Sequence, residues 1–137
     1  MDTIKYRSGY RYQLAEDFSI EIPILPPEDI STRFIRLTRK GLLTLRADYA
    51  TDGPSGPTAD TRHTIRAAFV HDALYQLLRD GLLDAARFRG VADLIFRNIL
   101  LEDGMNPLRA QLWYRGVAQF GEPNVDPASE KPVLTAP

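Results

Sequence analysis

Cysteine is absent from the 137 residues, which excludes a disulfide framework and thiolate metal sites. Net charge is nearly absent as well, with 17 Lys and Arg against 18 Asp and Glu. Without a positive excess the chain does not bind nucleic acid through bulk charge, and no nucleic-acid partner is expected. No apolar run approaches the ~20 residues that span a bilayer. The first seven residues, Met1-Asp2-Thr3-Ile4-Lys5-Tyr6-Arg7, hold no apolar core of signal-peptide length. The expectation is a product that is soluble when made. No internal repeat is found, and the length suits one domain with a real core.

What the chain does contain changes character along its length. Residues 9–24 alternate as two short strands, with Tyr10, Tyr12 and Leu14 apolar in the first and Ile20, Ile22 and Ile24 in the second. Pro23 assigns the second to a sheet edge or a strand end, because proline donates no ladder hydrogen bond. Residues 25–29 form an extended Pro-rich loop. Residues 33–38 and 42–49 form a hairpin around Arg39-Lys40-Gly41, with Leu43, Leu45, Ala47 and Tyr49 on one face. Arg33, Arg36, Arg39 and Lys40 are the one concentrated basic patch, read first as a solvated strand edge and second as a phosphate or anionic-lipid contact. Residues 52–58, Asp-Gly-Pro-Ser-Gly-Pro-Thr, exclude a helix or a central strand.

Three helices follow. The first runs from near Asp60, a suitable N-cap, to Asp80 before Gly81. The second runs from Asp84 to Glu102, with Gly104 beyond its end. The third opens on Asn106-Pro107 and ends before Gly121, with Leu108, Leu112, Trp113, Val117 and Phe120 as its apolar face. The expected class is therefore α+β: antiparallel strands or hairpins first, then three helices of which the first two are an antiparallel pair. Residues 1–121 are expected to be a single domain. Residues 122–137 are expected to be an extended Pro-rich tail, ordered by contact with its own domain or a neighbour.

The stretch Ala67-Ala68-Phe69-Val70-His71-Asp72-Ala73-Leu74-Tyr75 is apolar nearly all round, yet carries adjacent ionisable groups. Such groups are costly in a buried helix unless they are paired. Taking Leu82 as the middle of the turn, His71 and Asp93 are equidistant from it and face each other across an antiparallel pair. Asp93 lies on an apolar stripe with Ala86, Gly90, Phe96 and Leu100, and Gly90 is read as allowing close helix approach. Tyr75 follows His71 by one turn. In this cluster Asp93 holds one imidazole nitrogen, leaving the other to take a proton from water. Asp72, rotated by about 100° on the wheel, faces the loop carbonyls of Gly53 and Gly56. A carboxylate with backbone carbonyls is a hard oxygen set that suits Ca²⁺, which would stabilise an oxyanion. Two other readings stand beside this one. One is a buried polar network that only joins helices and loop; the other is a transition-metal set of His63, His71 and one Asp.

The run His71-Asp72-Ala73-Leu74-Tyr75 followed by Ala92-Asp93 resembles the phospholipase A2 signature, most closely the cysteine-free capsid domains of parvoviruses. That resemblance implies His71 as base, Asp72 as Ca²⁺ ligand, and Tyr75 and Asp93 as supports of the histidine. The loop at residues 52–57 departs from the usual phospholipase pattern by lacking a clean Gly-x-Gly. Over about residues 10–120, the order of strands, Thr51-Asp52-Gly53-x-Ser55, His71-Asp72-x-Leu74-Tyr75 and Ala92-Asp93 resembles a phage-encoded family known only as a domain of unknown function. This implies a phage origin and adds Asp52 and Ser55 to the candidate site. Two functions follow as expectations. The first is a hydrolase acting on a lipid or other cell-envelope bond. The second is a non-catalytic tail or tail-tip subunit, made in the host cytoplasm and built into the virion, whose C-terminal tail meets other virion proteins.

Overall fold

The computed structural model describes residues 4–7, 12–51 and 62–124. The class is α+β, with antiparallel strands in two sheets followed by three helices. The chain divides into two compact units, one carrying the strands within residues 1–52 and one carrying the helices within residues 53–131.

In the strand unit, β1 (Tyr6–Arg7), β2 (Tyr12–Leu14) and β7 (Ala50–Thr51) form one sheet in the order β1-β2-β7. The second sheet has the order β3-β6-β5-β4, built from β3 (Phe18–Glu21), β4 (Ile30–Ser31), β5 (Ile35–Leu37) and β6 (Leu42–Leu45). All pairings are antiparallel. Register puts Phe18 opposite Leu45 and Ile20 opposite Leu43, so one face is apolar and buried. On the other face Ser19 and Thr44 hydroxyls meet at 2.9 Å. β3 stops at Glu21, two residues before Pro23, and lies at the sheet edge. Gly41 turns the β5–β6 hairpin at φ 87°, and a Cβ there would stand 2.4 Å from the Ile22 carbonyl oxygen. Arg33, Arg36, Arg39 and Lys40 are exposed, and Arg39 is 4.0 Å from Asp29.

Residues 42–49 do not form one strand. β6 ends at Leu45, the Tyr49 amide donates to the Arg46 carbonyl at 3.1 Å, and Asp48 takes φ 75°. One residue in the left-handed region resets the alternation. Ala47 and Tyr49 therefore do not extend the Leu43–Leu45 face, and Ala50 and Thr51 enter the other sheet. Two aspartates unassigned from sequence fix the loops: Asp17 accepts from the Ala47 amide at 2.7 Å, and Asp29 from the Arg39 amide at 2.8 Å.

The helical unit consists of α1 (Arg62–Arg79), α2 (Ala85–Glu102) and α3 (Pro107–Asn124). Gly81 and Gly104 end the first two with φ 74° and 96°. Each ends in the same double bond pattern: Gly81 donates to Leu78 and Leu82 to Leu77, while Gly104 donates to Leu101 and Met105 to Leu100. This is the left-handed glycine stop that satisfies the last carbonyls. Asp84 occupies the N-cap of α2 without a side-chain cap bond. Asn106 does cap α3, accepting from Leu108 N at 2.9 Å and Arg109 N at 3.4 Å. Asp60 lies outside the described residues.

α1 and α2 are antiparallel. Arg66, near the start of α1 and 3% exposed, binds the far end of α2. Its guanidinium donates to Glu102 Oε2 at 2.7 Å and to Asp103 Oδ1 at 3.0 Å. Burial opposes the Arg66 charge, but these carboxylates outweigh it and hold the pKa above the usual arginine value.

Three details of the helices differ from the sequence expectation. Gly90 is exposed with nothing near its missing Cβ, so it brings no helices together, and Ala86 is exposed too. The stripe that packs is Phe88, Ala92, Asp93, Ile95, Phe96, Ile99 and Leu100. α3 continues through Gly121 to Asn124, because a glycine ends a helix only where the chain turns into the left-handed region. Its inner face is Ala110, fully buried, with Trp113, Tyr114 and Val117 half-buried, whereas Leu108 and Leu112 point outward.

Candidate functional site

α1 and α2 bring three polar groups to one buried point. His71 Nε2 lies 2.8 Å from Asp93 Oδ1, within the reach expected from their equal spacing about Leu82. The Tyr75 hydroxyl donates to the same oxygen at 2.6 Å. Asp93 is 1% exposed and His71 8%. The imidazole is walled by the Tyr75 ring, 4.1 Å between centroids, and the Phe96 ring at 5.0 Å. Trp113 packs on the far side of Phe96 at 6.3 Å.

A buried carboxylate is costly unless donors meet it, and hydrogen-bond donors meet only one oxygen of Asp93. Asp93 Oδ1 takes two hydrogen bonds, and Oδ2 faces Arg89 Nη1 at 3.7 Å, an ion pair one turn along α2. An ionised carboxylate only accepts, so the neutral imidazole carries its proton on Nε2 and keeps a lone pair on Nδ1. Nδ1 makes no hydrogen bond with the described residues. The arrangement is that of a base oriented by a carboxylate.

Burial, then the hydrogen bond to Asp93 and its charge, hold the Tyr75 phenol well above the ordinary value of 10.0. The folded protein therefore keeps a proton that the unfolded chain releases. This stability is fully present below about pH 10 and is lost as pH rises above it. Wild-type protein is expected to lose stability above about pH 10 more steeply than Tyr75→Phe, a difference read by urea unfolding across that range. Equal slopes would mean the phenol does not titrate differently in the two states.

Asp72 sits half-buried on α1, rotated from the His71 direction. Asp52, Gly53, Ser55 and Gly56 lie outside the described residues. Among the described residues no three His, Asp or Glu side chains are grouped to hold a metal. The set of His63, His71 and one Asp is not assembled. His63 lies about 12 Å from His71 along the helix axis, where its ring edge is 3.6 Å from the position a Cβ would take on Gly104. The Gly53 and Gly56 carbonyls expected to join Asp72 in a Ca²⁺ site lie outside the described residues.

Sequence reasoning missed Arg89, although its four-residue spacing before Asp93 is the signal of a helical ion pair. It also missed Arg66, a lone cation in an apolar stretch, opposite Glu102-Asp103 once the helices are antiparallel.

A model of the family described as "Protein of unknown function (DUF1353)" matches residues 38–117, more than half of the chain. The chain belongs to the DUF1353 family. The DUF1353 match takes in β6, β7, α1, α2 and most of α3, and so contains His71, Tyr75 and Asp93. It begins at Thr38, later than the start near residue 10 expected from the sequence. No curated protein and no solved structure matches the chain.

Proposed function

We propose that this DUF1353 protein is a phage-encoded hydrolase with a phospholipase A2-like site, cleaving a lipid or other cell-envelope ester or amide by a His71-activated water. The supporting observation is the Asp93 oxygen shared by His71 Nε2 at 2.8 Å and Tyr75 Oη at 2.6 Å. In this role Nδ1 of His71 takes the proton of a water that attacks the carbonyl carbon, Asp93 stabilises the imidazolium formed, and the imidazolium returns the proton to the leaving oxygen or nitrogen as the ester or amide bond breaks. Tyr75 holds the carboxylate in place. A Ca²⁺ at Asp72 would supply charge for the developing oxyanion.

A second function is supported by the burial of the same groups. In a tail or tail-tip subunit the cluster is a buried polar network joining α1 to α2, and the C-terminal tail meets other virion proteins. Fatty-acid release from mixed phospholipid vesicles, with Ca²⁺ and with a chelator, separates the two. The hydrolase is expected to be active with Ca²⁺ and to lose about 10³-fold or more in His71→Gln, with helix content unchanged. Asp72→Asn is expected to remove activity together with its Ca²⁺ dependence. A wild-type protein that releases no fatty acid under either condition would overturn the phospholipid-cleaving form of the proposal.

A further inference from the structure

Two donors reach Asp93, and both take the same oxygen. His71 Nε2 and the Tyr75 hydroxyl lie 2.8 and 2.6 Å from Oδ1, while Oδ2 is buried and accepts no hydrogen bond. A carboxylate can give each of two donors its own oxygen, and rotation about its Cβ–Cγ bond is soft. Something therefore holds Oδ2 away from the donors of α1. The charged group that faces it is Arg89, with Nη1 at 3.7 Å. That distance is beyond hydrogen-bond reach, so the hold is electrostatic. It acts on a carboxylate 1% exposed, where water and salt screen little. Arg89 is felt at the phenol as well: burial and Asp93 raise the Tyr75 pKa, and Arg89 works against them. It stands one turn before Asp93 on α2, whereas both donors stand on α1.

We propose that Arg89 is a positioning residue, which draws Oδ2 of Asp93 toward itself and so fixes the carboxylate plane that aims Oδ1 at His71 Nε2. The fixed oxygen keeps the imidazole proton on Nε2 and the lone pair on Nδ1. An exposed ion pair at this spacing would do little, because water competes for both charges. Here the guanidinium is 31% exposed but the acid is enclosed. A role in gripping a substrate anion fits the geometry less well, since the Asp93 charge beside Arg89 repels the anion. The effect on catalysis rests on the hydrolase proposed above; the effect on the hydrogen bond does not.

Proton NMR of the isotope-labelled full chain tests the proposal. The His71 Nε2–H resonance, assigned by its loss in His71→Gln, is expected downfield in the wild type because it donates to a buried carboxylate. Arg89→Met keeps an unbranched stem without the charge, and is expected to move that resonance upfield. Arg89→Lys is expected to restore most of its position. A resonance that Arg89→Met leaves in place would overturn the proposal. So would a stability effect indifferent to Asp93: Arg89→Met is expected to lower the folding equilibrium constant about fivefold in the wild type and not in Asp93→Asn. In vesicle hydrolysis Arg89→Met is expected to lower kcat about tenfold with KM unchanged. A wild type that hydrolyses nothing, with the resonance still moved by Arg89→Met, would sink the hydrolase and leave Arg89 its place. Hydrolysis with an unmoved resonance would do the reverse.

Discussion

Asp93→Ala is expected to destabilise the protein by about 3 kcal/mol, because it leaves His71 Nε2–H and the Tyr75 hydroxyl buried without an acceptor. The cavity left by the carboxylate adds to this, since Asp93 is 1% exposed. Asp93→Asn is expected to cost less, about 1–2 kcal/mol, because the amide oxygen still accepts both bonds. Its NH₂ group then meets the Arg89 guanidinium, donor against donor, where the wild type has an ion pair at 3.7 Å. The proposed hydrolysis, if the protein carries it out, is expected to respond in a different order, falling about 10³–10⁴-fold even in Asp93→Asn, because an amide does not stabilise an imidazolium. Denaturant unfolding gives the stabilities and vesicle hydrolysis the rates. An alanine variant as stable as the wild type would show that the shared oxygen does not hold α1 to α2.

The second large effect lies at the other end of the helix pair. Arg66→Met is expected to cost about 2–3 kcal/mol, since it removes hydrogen bonds to two carboxylates from a buried guanidinium. The figure is below that of a fully buried ion pair because the Glu102 side chain is 47% exposed and keeps its water. Arg66→Lys retains the charge but not the fork, and is expected to recover only part of the loss. Glu102→Gln is expected to cost less than about 1 kcal/mol for the same reason of exposure. A midpoint shift for Arg66→Met no larger than that for Glu102→Gln would remove Arg66 as the clamp between the helix ends.

These expectations rest on geometry that was partly legible in the sequence. The His71–Asp93 hydrogen bond was, because two glycine stops and a short connection leave an antiparallel pair few registers, and an unpaired carboxylate on an apolar stripe demands a partner. Asn106-Pro107 declared the start of α3 by cap chemistry alone. The strand pairings were not legible. β2 joins β7 across more than thirty residues, and local alternation carries no information about such partners. Nor does alternation reveal that Asp48 takes φ 75° and sends the chain from one sheet to the other. The outward turn of Leu108 and Leu112 escaped for a related reason. Helical spacing shows that apolar residues share a side, and says nothing about whether that side meets a neighbour.

Trp113 is the one tryptophan in the chain. It rests on Phe96, which rests on His71, all within the helices. Its emission thus observes the helical unit, whereas far-ultraviolet dichroism sees helices and strands together. The protein carries its own test of cooperativity: unfolding curves from the two signals that coincide mean the units melt together, and curves that separate mean each has its own stability.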